Sequence, residues 1–182
     1  MKITLTKPQH AVSNSKRRFR VLVSGRRFGK TYLCITEIMK YATKVKQNIW
    51  YVAPTFKMAR EIVWSKLKQM LSDFKWVDVI NESNLSIRIK KTGSIISLKG
   101  CENYDSLRGV GIDFLILDEF ADIEEKAWTE VLRASIADTE GDVLMCGSPK
   151  GYGNWSYRMY LKGKQEKEWD SFQYTTLQGG MV

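Results

Sequence analysis

The residues best suited to chemistry form a glycine-rich loop at residues 24–31, which reads Ser-Gly-Arg-Arg-Phe-Gly-Lys-Thr and is called the phosphate loop below. It lies between an apolar run and a segment of helical character, so backbone N–H groups and a helix N-terminus can cradle phosphate oxygens. Lys30 supplies a positive charge for β- and γ-phosphates, and the Thr31 hydroxyl can ligate the Mg²⁺ that bridges them. We therefore expect this loop to bind a nucleoside triphosphate; the alternative is a tight turn with an exposed lysine.

The phosphate loop departs from the pattern GxxxxGK[ST] at its first position, where Ser24 stands and the glycine is displaced to Gly25. The order of strand, Gly-Lys-Thr and helix compensates for this departure. The candidate nucleotide-binding residues of the loop are Ser24, Gly25, Arg26, Arg27, Phe28, Gly29, Lys30 and Thr31.

Two adjacent carboxylates, Asp118 and Glu119, follow the four apolar residues 114–117. An apolar strand that ends in two acids delivers both side chains at one edge of a sheet. Asp118 is suited to hold Mg²⁺, and Glu119 is suited to orient an attacking water. Two acids after a strand are also common as simple helix caps. In a chain that already carries a phosphate loop, the pair indicates nucleoside triphosphate hydrolysis.

The elements that must position these residues alternate along the chain. Four short apolar runs read as strands, at residues 20–24, 48–53, 112–117 and 142–146, and three segments read as helices, at 31–44, 59–71 and 124–137. Residues 79–98 show two alternating runs around Lys91-Thr92-Gly93, a pattern typical of a β-hairpin. The alternation predicts an α/β fold with a mainly parallel central sheet, helices on both faces and a hairpin insertion near 79–98. Ligands bind such sheets at the carboxyl ends of the strands, where both motifs fall.

Length, composition and charge set limits on this interpretation. A chain of 182 residues with 43% hydrophobic and 27% charged residues fits one globular domain and excludes a disordered or fibrous protein. No apolar run approaches a membrane span, and three separated cysteines with one histidine exclude a zinc finger, so we expect a soluble intracellular protein with buried thiols. Residues 1–100 carry 21 Lys/Arg and 5 Asp/Glu, which favours a polyanionic partner over a basic face that is merely solvated.

Four blocks of the sequence, in this order, resemble the ATPase domain of the large terminase subunit, the DNA-packaging motor of tailed bacteriophages. They are GRRFGKT (25–31), YVAPTFKMAREIVW (51–64), LKGCENYDSLRGVGIDFLILDEFAD (98–122) and MCGSPKGYGNW (145–155). The resemblance covers nearly the whole chain, and the displaced glycine and loop arginines are typical of that family. It implies a P-loop NTPase of the RecA/ASCE type in three layers, with ATP and Mg²⁺ as cofactors. Lys30 and Thr31 then bind triphosphate and metal, Asp118 holds the metal and Glu119 activates water.

Two further residues gain roles only from this resemblance. Gln9 is similar to the glutamine by which these ATPases read the adenine edge, since an amide both donates and accepts hydrogen bonds; otherwise it is a surface residue. Ser148, in Gly147-Ser148-Pro149, resembles a coupling motif that senses the γ-phosphate, and the alternative is a plain turn at a strand exit.

The arginines have separate expected roles. Because Arg26 and Arg27 lie within the phosphate loop, either could stabilise charge on the γ-phosphate within the same chain, with the other in a salt bridge. Arg108 resembles a finger that reaches the nucleotide of a neighbouring subunit; a DNA contact or a structural contact is the alternative.

Two basic clusters are candidates for sequence-independent contact with the phosphates of double-stranded DNA. They are Lys16, Arg17, Arg18 and Arg20, and Arg88, Lys90, Lys91 and Lys99.

The sequence therefore predicts an ATPase motor that translocates double-stranded viral DNA into a procapsid, as a homo-oligomeric ring on the portal protein with the small terminase subunit, in the host cytoplasm. The expected domains are an ATPase domain at 1–175 and the start of a linker at 176–182. The family's RNase H-like nuclease domain is not expected in these 182 residues, nor is nuclease activity. The alternatives are a helicase-like DNA-dependent ATPase and a nucleotide-switched module for binding DNA or an assembly partner, with negligible turnover.

Overall fold

An eight-stranded sheet forms the centre of the computed structural model, which describes residues 3–179. The strands are β1 (Phe19–Ser24), β2 (Asn48–Ala53), β3 (Val77–Asn81), β4 (Ser86–Ile89), β5 (Ile95–Gly100), β6 (Phe114–Asp118), β7 (Asp142–Gly147) and β8 (Trp169–Tyr174). Their order across the sheet is β3-β4-β5-β2-β6-β7-β1-β8. All pairs from β5 to β8 are parallel, and only β3–β4 and β4–β5 are antiparallel.

Helices cover both faces of this sheet. They are α1 (Lys7–Asn14), α2 (Lys30–Ala42), α3 (Phe56–Ala59), α4 (Ser65–Asp73), α5 (Arg133–Ala137) and α6 (Trp155–Gln165). A π-helical turn, Arg60–Trp64, joins α3 to α4, and a second, Ala127–Leu132, leads into α5. No described helix has the length and hydropathy needed to span a bilayer.

The central strands are buried on both sides, which explains their nearly uninterrupted apolar sequences. Successive residues of β6 point to opposite faces: Phe114 and Ile116 pack with α2 and α4, whereas Leu115 and Leu117 pack with the π-helical turn 127–132 and α6. Two cores on either side of one sheet make the predicted three layers, so the predicted fold class is confirmed.

The predicted hairpin is present as β4 and β5, and it continues the main sheet. Ile96 of β5 pairs with Ile87 of β4 on one side and with Ile49 of β2 on the other. A third strand, β3, extends this edge and was not predicted; neither were α1, α6 and β8. Residues 180–182 of the predicted linker lie outside the described residues.

Candidate nucleotide-binding site

The phosphate loop joins the end of β1 to the start of α2 through two residues in the left-handed region, Arg27 with φ 62° and Gly29 with φ 91°. Between them, the Phe28 side chain is fully buried and stacks on Tyr174, with ring centroids 5.4 Å apart. Left-handed residues turn successive N–H groups toward one concavity, which suits an anion. The buried phenylalanine thus anchors the loop that leads into the N-terminus of α2.

The displaced glycine has a structural reason. Gly25 donates its N–H to the carbonyl of Tyr174 at 3.1 Å, where the chain leaves β8. A Cβ atom on Gly25 would lie 2.8 Å from the backbone nitrogen of Thr176 and would clash with its hydroxyl. The close approach of the segment after β8 therefore requires glycine at position 25.

Three of the predicted residues meet beside this loop. Lys30 Nζ lies 3.5 Å from Glu119 Oε1 and donates to Ser148 Oγ at 3.3 Å. The backbone N–H of Ser148 in turn donates to Glu119 Oε2 at 3.1 Å. Glu119 has a left-handed backbone, with φ 46° and ψ 43°. The ends of β1, β6 and β7 thus bring a lysine, a carboxylate and a hydroxyl together, as parallel strands do at their carboxyl edge.

Asp118 lies directly behind this group, with only 3% of its surface exposed. Its Oδ2 accepts a hydrogen bond from the Tyr51 hydroxyl, and its Oδ1 accepts one from Cys146 Sγ at 3.2 Å. Burial raises the pKa of the Asp118 carboxyl, and the two hydrogen bonds act in the opposite direction. The side chain is held on both oxygens.

Thr31, in the first turn of α2, and Asp118 offer the oxygen donors that Mg²⁺ prefers. Each Asp118 oxygen accepts one hydrogen bond in the structure and keeps a second lone pair for a metal-bound water. These two residues therefore fit the magnesium role.

A second group, made of Cys34, Cys146 and Asp118, brings its ligand atoms within 4.8 Å of one another. The two Sγ atoms are in contact at 3.3 Å, whereas thiolates on one tetrahedral zinc stand about 3.8 Å apart. The two sulfur atoms are therefore closer together than two thiolate ligands of one tetrahedral zinc would be. The predicted buried thiols are confirmed: all three cysteines are free and buried.

Gln9 packs against the phosphate loop from α1 and is fully buried, so the surface alternative for it is wrong. Its Nε2 donates to the carbonyls of Phe28 at 3.4 Å and Gly29 at 3.2 Å, and its Oε1 accepts from Thr6 N at 3.0 Å. The side chain therefore supports the backbone of the loop, and adenine contact stays a prediction.

The three candidate arginines lie in different surroundings. Arg26 and Arg27 are exposed, and neither forms an ion pair with any residue between 3 and 179, so the salt bridge expected for one of them is absent there. Arg108 is half-exposed; it donates to Asp105 Oδ1 at 3.0 Å and to the Glu130 carbonyl at 3.0 Å. It does not join Lys30 and Glu119 within one chain, and a role at a neighbour's nucleotide stays a prediction.

Two of the candidate DNA contacts have structural partners instead. Arg20 is 2% exposed and pairs with Glu37, so the prediction that it contacts DNA is wrong. Arg18 donates to the carbonyls of Gly141 at 2.8 Å and Ile136 at 3.0 Å. The exposed members of the two clusters are Lys16, Arg17, Arg88, Lys90 and Lys91.

Sequence reasoning missed Tyr51 and Cys146 as neighbours of Asp118. A tyrosine inside the otherwise apolar β2 was the available signal, because a buried phenol needs a hydrogen-bond partner. Cys146 carried no such signal, since a thiol is common in an apolar strand.

The family profile described as phage terminase large subunit matches residues 16–178. Curated relatives include the terminase large subunits of Thermus phage G20c, 28% identical over 86% of this chain and 36% of its own length, and of Escherichia phage T5, 27% identical over 88% and 38%. This chain therefore spans little more than a third of the relatives it matches.

Solved structures share the fold. The large terminase ATPase domain of Thermus phage P74-26 is 23% identical over 94% of this chain and 81% of that chain, with a TM-score of 0.82. The large terminase of another thermophilic bacteriophage, in complex with ADP, is 21% identical over 98% of this chain and 47% of that chain, with a TM-score of 0.83.

Proposed function

Because this chain belongs to the phage terminase large-subunit family, we propose that it is an ATPase motor domain that hydrolyses ATP to drive double-stranded viral DNA into a procapsid. The observation that carries this proposal is the convergence of Lys30, Glu119 and Ser148 beside the phosphate loop, with Asp118 directly behind. A complex of the same thermophilic phage's large terminase with ATP-gamma-S supports ATP as the nucleotide.

Residues of the phosphate loop bind the triphosphate through backbone N–H groups, and Lys30 neutralises the β- and γ-phosphates. Thr31 and Asp118 hold Mg²⁺, directly or through water. When bound, that ion neutralises charge on the phosphate oxygens. Gln9 contacts adenine from α1 while it supports the loop, and Arg26 or Arg27 stabilises charge on the γ-phosphate.

Glu119 orients the attacking water and accepts its proton. Its carboxylate is already bonded to the backbone of Ser148 at 3.1 Å, so a change at Glu119 is transmitted directly to the turn after β7. Ser148 then links hydrolysis to movement of that turn.

The working assembly is a homo-oligomeric ring on the portal protein, with the small terminase subunit, at the procapsid in the host cytoplasm. Within the ring, Arg108 reaches the nucleotide of a neighbouring subunit. Residues 1–175 form the ATPase domain, and a linker begins at 176.

The test is steady-state phosphate release, with and without duplex DNA, by wild type, Lys30→Ala and Glu119→Gln. Lys30→Ala should lose nucleotide binding. Glu119→Gln should bind ATP but turn it over at least about a hundredfold more slowly, since a general base contributes 10²–10⁴-fold. Glu61→Gln is the matched control, since Glu61 is a carboxylate 63% exposed in the π-helical turn 60–64 that pairs with Lys57.

Equal rates in wild type, Lys30→Ala and Glu119→Gln would contradict the ATPase assignment. Wild type that binds ATP with negligible turnover under every condition would favour the nucleotide-switched module instead.

A further inference from the structure

A buried chain of hydrogen bonds runs from α2 through β7 and β6 to β2, and Asp118 on β6 accepts a hydrogen bond from each side. Cys34 Sγ contacts Cys146 Sγ at 3.3 Å, Cys146 Sγ donates to Asp118 Oδ1 at 3.2 Å, and the Tyr51 hydroxyl donates to Asp118 Oδ2. Cys34, Cys146 and Tyr51 are fully buried.

Asp118 depends on these donors because the charge of Lys30 compensates for the burial of the carboxylate less than either hydrogen bond does. No described Lys, Arg or His lies within ion-pairing distance of its carboxylate, although a buried carboxylate needs partners. Two neutral donors, one on each oxygen, fix the plane of the carboxylate. They leave one lone pair on each oxygen for a metal-bound water.

The two donors are unequal. A phenol is a strong donor, whereas a thiol is a weak one. The Tyr51 side chain is also fully enclosed, and its strand β2 lies directly beside β6, with Tyr51 in register with Ile116. The enclosed phenol therefore sets the orientation of Asp118, and the thiol adds a smaller contribution.

We propose that Tyr51 is a positioning residue that holds Asp118 in the orientation required for Mg²⁺, an inference that rests on the proposed ATPase function. Outer partners of metal ligands typically contribute 10–100-fold to metal affinity. Loss of the Tyr51 hydroxyl leaves Asp118 Oδ2 buried without its donor, and the carboxylate is then free to rotate away.

The experiment measures the Kd for a fluorescent ATP analogue, mant-ATP, once with Mg²⁺ and once with EDTA. The Kd in EDTA divided by the Kd in Mg²⁺ gives a ratio that reports the metal's contribution to binding. We expect Tyr51→Phe to lower that ratio about tenfold or more and to leave the Kd in EDTA unchanged. A misfolded or loosened protein would instead bind more weakly in both conditions.

Tyr41→Phe is the matched control. The Tyr41 hydroxyl donates to Asp142 Oδ2 at 2.6 Å, and Asp142 begins β7, at the opposite end of the strands from Asp118. Each substitution removes one tyrosine hydroxyl that donates a hydrogen bond to one carboxylate, so both should lower the melting temperature. Only Tyr51→Phe should lower the Mg²⁺ ratio.

Cys146→Ala gives a second route should Tyr51→Phe fail to fold. It removes the other donor and should lower the ratio by less, and Cys146→Ser should restore it. Unchanged ratios in both Tyr51→Phe and Cys146→Ala, or equal falls in Tyr51→Phe and Tyr41→Phe, would overturn the positioning role. Wild type that binds no mant-ATP in either condition would contradict the proposed function itself.

Discussion

At the scale of single residues, Glu119 has a proposed catalytic side chain on a backbone conformation that residues with a Cβ atom rarely adopt. Its φ of 46° places a non-glycine residue in the left-handed region, at a cost of roughly 1–2 kcal/mol. The turn is what brings its carboxylate to Lys30 and Ser148. Strained backbone at a proposed catalytic position fits the general tendency of functional sites to store strain.

This strain predicts an unusual order of stability. Glu119→Ala and Glu119→Gly both remove the carboxylate and should both lose ATP turnover, but the glycine variant should be more stable by about 1 kcal/mol. At Lys66, an exposed position in α4, the order should reverse, because glycine weakens a regular helix by roughly 0.5–1 kcal/mol relative to alanine. Urea unfolding of the four variants measures both differences. A Glu119→Ala variant at least as stable as Glu119→Gly would contradict backbone strain at this position.

At the scale of elements, the sequence predicted the central strands well and the peripheral elements poorly. Residues of β6 and β7 are apolar because both faces are buried, so their composition alone indicated strands. In contrast, β8 is an edge strand interrupted by Asp170, Ser171 and Gln173, and α1 has eight mostly polar residues. Both form through contacts with distant parts of the chain, which no local pattern records.

The candidate site shows the same division. The motif spacing predicted that Lys30 and Glu119 would meet, because both follow parallel strands. The partners of Asp118 depended on strand order and register, in which Asp118 pairs with Cys146 on β7. Neither quantity can be read from the sequence, and the environment of the proposed metal ligand was therefore unpredicted.

A buried ion pair joins α2 to β1 and to α1, the helix that carries Gln9. Arg20 Nη1 contacts Glu37 Oε2 at 2.5 Å and donates to the Val12 carbonyl at 3.2 Å, and Ser13 Oγ donates to Glu37 Oε1 at 2.5 Å. Both charged side chains are almost fully buried. The short helix α1 is thus tied to the helix that follows the phosphate loop.

Removal of one member of this pair should lower the free energy of unfolding far more than removal of both. Glu37→Met leaves the Arg20 charge buried and should lower the free energy of unfolding by about 3–5 kcal/mol, whereas Arg20→Met/Glu37→Met should lose much less. Glu61→Met, at an exposed pair with Lys57, should change it by less than about 1 kcal/mol. Urea unfolding followed by tryptophan fluorescence measures all three. A single variant no less stable than the double variant would refute the role assigned to the pair.

At the scale of the whole molecule, the structure changes the meaning of the formal charge of +9. Arg20 is neutralised in the core and Arg18 is bonded to two backbone carbonyls, so neither is a free surface cation. Of the two clusters considered for DNA contact, Lys16 and Arg17 remain exposed in the first, and Arg88, Lys90 and Lys91 remain exposed in the second. These exposed side chains are the members of the two clusters that can contact DNA phosphates.

The salt dependence of DNA binding can decide between the two clusters. Each lost phosphate contact should reduce the slope of log K against log salt by about 0.9 for duplex DNA. If the hairpin binds DNA, Arg88→Gln/Lys90→Gln/Lys91→Gln should reduce that slope by roughly 2–3, and Lys16→Gln/Arg17→Gln should leave it unchanged. Fluorescence anisotropy with one labelled duplex between about 50 and 200 mM salt, at fixed nucleotide, gives the slopes. Because contacts to phosphates do not read the base sequence, a second duplex of unrelated sequence should give the same values. A smaller slope only in Lys16→Gln/Arg17→Gln would place the DNA at the start of β1 instead, and unchanged slopes in both variants would contradict DNA contact by either cluster.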